Sequence, residues 1–233
     1  MKGVLIVGIK EMRELLKNKS TLIFALFLTL FFSIIPAMGI SKADDPAVSL
    51  NNSVFYLSLT LGVFICYMFT GQVFFREKQE KIIETLLCAP VSLRTLWFGK
   101  VLGVALPSYS FSILSAISII LISNIFSGSL LFPSVAVILH LLIVVPLFIA
   151  SVVGLMGFVQ FLLGMRENRI IGLLIFIVIF GALYGGVGGI MRSDSVVSWL
   201  HVIALLTVSV LLVALTAYLA RYLSKEKIVT TIS

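Results

Sequence analysis

Side chains able to do chemistry are few in this chain and are placed away from its apolar interior. Its ten aspartates and glutamates fall outside the long apolar runs. A proton relay or cation site built on carboxylates inside a membrane therefore has no groups to use. His140 and His201 do lie inside apolar runs. Each is a candidate proton site, although an interfacial or hydrogen-bonded neutral histidine is the simpler reading, and their separation makes no metal-type pair. Cys66 belongs to an apolar run and Cys88 to a basic connection, so they fall at different membrane depths, and neither a disulfide nor a metal site is expected. No HExxH, GxSxG or Walker lysine motif occurs. The chain itself is not expected to hydrolyse ATP, and an intramembrane enzyme is disfavoured because no nucleophile–base or metal cluster is visible.

Other patterns bear on packing or on a pathway. Gly181, Tyr184, Gly185, Gly186, Gly188 and Gly189 form a glycine-rich stretch without the lysine and hydroxyl of a phosphate loop. Its small-xxx-small spacings fit close helix packing, and its glycines equally suit a partly unwound outer segment. Tyr56, Thr60, Tyr67 and Thr70 share one face of an apolar run, with a pathway-facing role open to Tyr56, Thr60 and Tyr67. Ser108, Ser112, Ser115 and Ser118 climb one side of the next run, where helix packing is the default role for small hydroxyls.

The elements that must position these residues are membrane spans. Of the 233 residues, 60% are hydrophobic and 12% charged; mean hydropathy is +1.19. Soluble domains carry roughly 25% charge. Spans of about 20 residues are predicted over residues 21–40, 53–75, 100–126, 132–163, 170–190 and 197–222. The fourth is long and contains Pro146, so it is expected to tilt, kink or project beyond the lipid. Asn51, Asn52, Ser92 and Pro133 are candidate helix starts. Ahead of the first span, Leu5, Ile9, Met12 and Leu16 recur at helical spacing opposite Lys10, Arg13, Glu14 and Lys17. Residues 1–20 are therefore read as an amphipathic helix lying in the membrane interface, in preference to a solvated leader. The predicted fold is all-α integral membrane, with residues 21–233 forming a six-span domain.

Lysine and arginine fix the orientation. The N-terminal segment, the second and fourth connections and the tail hold fifteen of them, against only Lys42 and Arg192 in the first, third and fifth connections. Positive charge is retained in the cytoplasm, which places both termini and the second and fourth connections inside. The net charge of +7 is thus explained by a membrane surface. Nucleic acid is not expected, since no basic face interleaved with aromatic residues is present.

The second connection, residues 74–100, is much longer than a turn between spans requires. Glu77, Lys81 and Glu84 alternate in sign at helical spacing, with Ile82, Ile83, Leu86 and Leu87 beside them. Pro90 ends this helix and Ser92 can cap the next. A charged helix with exposed leucine and isoleucine at a cytoplasmic bend suits a soluble partner. A second interfacial helix without a partner fits the pattern equally well.

The run from Glu77 to Ser92, followed by Gly99-Lys100, resembles the signature of ABC-2 type transporter permeases. Lys81-Ile82 and Ala89 replace the glycine-threonine pair and the threonine common there, and the fifth connection is too short for the large external domain of some members. The resemblance implies a coupling helix at about 76–90 that seats on a separate ABC ATPase subunit, with contacts from Glu77, Glu80, Lys81, Glu84 and Leu87, and Pro90 shaping the exit. It also implies an exporter built on a homodimer of permease chains and a pathway touching Tyr56, Thr60 and Tyr67. This chain would carry no cofactor, ATP and magnesium being held by the partner. A prokaryotic plasma membrane is expected, and an amphipathic or lipid-like substrate suits the spans better than a bare cation. The competing reading is an ATP-independent channel or assembly scaffold, which leaves residues 74–100 without a purpose.

Overall fold

The computed structural model describes residues 2–79, 92–162, 170–178, 181 and 197–222, and among these the regular structure is all helical. Five helices are long and apolar enough to cross a bilayer: Lys19–Ile40, Pro46–Phe74, Leu93–Ser127, Val135–Leu162 and Trp199–Tyr222. Residues 170–178 are also helical, but the remainder of the expected 170–190 span lies outside the described residues apart from Gly181. The helices are labelled α1 (Lys2–Lys17), α2 (Lys19–Ile40), α3 (Pro46–Thr70), α4 (Leu93–Ser127), α5 (Val135–Leu162), α6 (170–178) and α7 (Trp199–Leu219).

Helix boundaries follow local chemistry. Asn18 breaks the chain between α1 and α2, and its side chain accepts a hydrogen bond from the Thr21 N–H. α3 begins at Pro46, capped by Asp45, which accepts from the backbone N–H groups of Ala47 and Val48. Asn51 and Asn52 are therefore not a helix start but lie about one and a half turns inside the helix. Asn51 instead accepts the Ser134 N–H at 2.7 Å, joining α3 to the start of α5. Ser92 does cap α4, accepting from the Thr95 N–H at 3.2 Å. Past Pro133, the fifth helix takes Ser134 as its N-cap and begins at Val135.

α4 runs for 35 residues, roughly 50 Å against about 30 Å of hydrocarbon, so it projects well beyond a bilayer. It ends at Gly128, whose φ of 64° is the left-handed conformation that glycine adopts without strain. α5 contains a π-helical turn over His140–Val144, two residues before Pro146. Proline cannot donate to the preceding turn, which favours such a shift in the ladder.

α4 is the central post, with α1, α2, α3 and α5 packed on it, while α7 lies on α5. α2 meets it through small residues spaced four apart, Ala25, Thr29, Ser33 and Ala37, and turns Phe24, Phe27, Phe31 and Ile35 outward. Small residues let helix backbones approach where lipid removes any hydrophobic drive between helices. The serines of α4 do pack. Ser112 donates to the Ser58 carbonyl at 2.6 Å, and Ser115 meets Ser33 at 3.0 Å.

Candidate functional site

The densest polar arrangement among the described residues lies where α1, the start of α4 and the chain beyond α3 converge. α3 passes into a π-helix over Gly71–Phe75 and then an α-helical turn over Arg76–Gln79. α1 crosses α4 at backbone contact, because Gly99 and Gly103 stand one turn apart on α4 and leave room for it. A Cβ on Gly103 would lie 2.8 Å from the Gly8 carbonyl oxygen and 2.7 Å from Glu11 Cβ; one on Gly99 would lie 2.6 Å from Val7 Cβ. That crossing sets Glu11 opposite Lys100.

Lys100 is completely buried. Its ammonium donates to Glu11 Oε1 at 2.9 Å and sits 2.5 Å from Glu77 Oε2, the latter an ion pair lacking the alignment of a hydrogen bond. Its Nζ also lies 5.7 Å from the centre of the Phe74 ring. Lys10, partly in solvent, lies 3.5 Å from Glu11, 3.4 Å from Glu14 and 3.8 Å from Glu77. Burial pushes the Glu77 carboxyl above the usual glutamate range, against the pull of Lys100. For Lys10, burial acts downward as the largest single influence, yet Glu11, Glu77 and Glu14 together hold the ammonium above its ordinary value. A cavity of about 330 Å³ opens beside the cluster, lined by Lys10, Glu14, Lys17, Arg76 and Glu77 among others.

The oxygens of Glu11, Glu14 and Glu77 lie within 4.8 Å of one another, the spacing of a metal site. Lys10 and Lys100 already supply the opposing charge. What the arrangement does chemically is hold three chain segments through charges withdrawn from water. Truncating one partner of such a group leaves another charge buried and uncompensated.

Of the residues expected to meet the ATPase, Glu77 is the only one described, and it is 6% exposed and turned inward onto Lys100. Glu80, Lys81, Glu84, Leu87 and Pro90 lie outside the described residues, as do Cys88 and the glycine-rich stretch beyond Gly181. Tyr56 is buried with its edge to Phe55, whereas Thr60 and Tyr67 are half-buried and Tyr67 stacks on Phe176 of α6 at 4.3 Å. His140 is enclosed against the Phe55 ring at 4.0 Å. His201 is a capping residue, its Nδ1 accepting from the Ser198 N–H.

Glu11 escapes sequence reasoning, and Lys100 enters it only as part of the family signature, because neither residue's partner can be read from its neighbours. Lys100 reads as the last basic residue of a connection, and Glu11 sits between two faces of an amphipathic helix. The available signal was the Gly99/Gly103 spacing around Lys100, together with Gly8 three residues before Glu11.

A bundle of apolar helices of these lengths is that of a multi-pass membrane protein, here with its one buried lysine among the described residues at one end of the spans. The chain belongs to the ABC-2 family of transporter proteins, whose family model, described as ABC-2 family transporter protein, matches residues 12–183. No curated protein matches the chain.

Proposed function

We propose that the chain is the permease subunit of an ATP-binding cassette exporter, driven by a separate ATPase that binds ATP and magnesium. The observation that carries the reading is the family match, which runs unbroken from Met12 in α1 across the long connection between α3 and α4. In this reading six helices span a prokaryotic plasma membrane, with 170–190 as the fifth and both termini in the cytoplasm. The fifteen-to-two partition of basic residues supports that orientation. α1 lies in the interface, and its exposed Leu5, Ile9 and Leu16 support contact with lipid.

The connection at 76–90 is the coupling helix. Glu80, Lys81, Glu84, Leu87 and Pro90 form and shape the surface offered to the ATPase, and Glu77 anchors the root of that helix through Lys100. Two permease copies pair, and ATP-driven closure of two ATPases shifts the balance between inward- and outward-facing states. Thr60 and Tyr67, with Tyr56 behind them, are the pathway candidates.

The test is purification from mild detergent. An ABC ATPase is expected to co-purify with the wild-type chain and to be lost from Glu84→Arg. A wild-type chain that purifies without an ATPase, with Glu84→Arg assembling and transporting normally, would instead establish the channel or scaffold reading.

A further inference from the structure

Glu77 is joined to the bundle both along the chain and through space. The covalent connection runs back into α3 through the π-helix Gly71–Phe75, where the Arg76 N–H reaches the Gly71 carbonyl and no side chain stands within 4 Å of a Cβ placed on Gly71. π-helical turns are irregularities in the α-helical ladder and frequently mark functional positions. The other connection is through space. Glu77 pairs with Lys100 of α4, and Lys100 bonds Glu11 of α1. A further tie joins the same block: Gln72 donates to Thr21 Oγ1 at 2.6 Å and accepts from Asn18 Nδ2 at 3.4 Å, at the joint between α1 and α2.

We propose that Lys100, with Glu11 and Glu77, is a positioning residue that makes α1, α4 and residues 72–79 move as one block, while α3 yields at Gly71. A push on the connection then enters the bundle through α1 and α4, and the angle between this block and α3 changes. Charge suits the task. A lysine that is fully buried between two carboxylates holds all three groups as a set, because parting it from either one leaves a charge out of water without its partner. The proposal rests on reading the connection as the coupling helix.

The test uses the full permease–ATPase complex, with Cys66→Ala and Cys88→Ala as background and labelled chains diluted in unlabelled ones. Spin labels are placed by Arg13→Cys with Ile125→Cys, and by Arg13→Cys with Ala47→Cys; Arg13, Ile125 and Ala47 are all exposed. The first pair reports α1 against the far end of α4, the second α1 against the start of α3. Trapping with ATP and vanadate is expected to leave the first distance distribution in place and shift the second. In Lys100→Met both are expected to shift while the ATPase stays bound, and Lys100→Arg, which keeps the charge, is expected to restore the wild-type pattern. A wild-type complex in which the first distance shifts as far as the second, or in which neither responds with the ATPase bound, overturns the proposal without touching the coupling-helix reading. Absence of an ATPase from the purified sample removes both. The wild-type distances decide the matter even if Lys100→Met does not fold.

Discussion

At its basic end the bundle is joined by charges, whereas midway along the spans it is joined by hydroxyls. Lys100 reaches carboxylates on two other segments and is sealed from solvent. Ser112 and Ser115 of α4 reach only the Ser58 carbonyl and the Ser33 hydroxyl. Both devices hold helix to helix, but they fail differently. A serine replaced by alanine forfeits one modest bond; a lysine removed from between two glutamates leaves like charges facing each other out of water. The hydroxyl contacts can therefore be lost singly at small cost, whereas losing Lys100 strands both carboxylates at once.

The largest effect expected from this contrast is Lys100→Met. It should destabilise the detergent-solubilised chain by about 3–5 kcal/mol, the cost of breaking a buried pair from one side, read from unfolding in sodium dodecyl sulfate. A loss no larger than that of a serine variant would erase the distinction between the two regions. Next is the pH response of the charged cluster. Because Glu77 is raised from its ordinary value of 4.5, mainly by burial, the packed state holds a proton that the unpacked chain has released. This contribution is complete below the ordinary value and fades as pH rises through the raised one. Stability should accordingly show a component that falls with pH across that window, and Glu77→Gln should flatten it; an unchanged slope would count against a titrating Glu77. Smallest is Ser112→Ala, expected to cost about 0.6 kcal/mol, in keeping with interhelical hydrogen bonds in membranes.

Much of the architecture was legible beforehand. Five of the six expected spans, the cap at Ser92 and the packing of Ser112 and Ser115 follow from hydropathy, capping chemistry and helical spacing. α1 was half legible. Its stripe of Leu5, Ile9, Met12 and Leu16 stood out, and Leu5, Ile9 and Leu16 are indeed exposed. The face that packs on α4 is a third one, carrying Val4, Gly8, Glu11 and Leu15. Apolar periodicity missed it because the contact is made by a glycine and a glutamate. The candidate site was legible only in part: Glu77 is singled out as a contact for a partner and Lys100 as part of the family signature, but their meeting cannot be read from their neighbours in the chain.

By itself the sequence determined that this chain is helical, how its apolar segments are laid out and how its basic residues are shared among the connections. Those properties sum over neighbouring residues, and solvent or lipid acts on them directly. Only the tertiary structure decided which charge meets which. Glu11 and Lys100 are 89 residues apart, and no local preference brings them together. Their meeting is set by the close α1–α4 crossing that Gly8, Gly99 and Gly103 allow, a property of packing between distant segments.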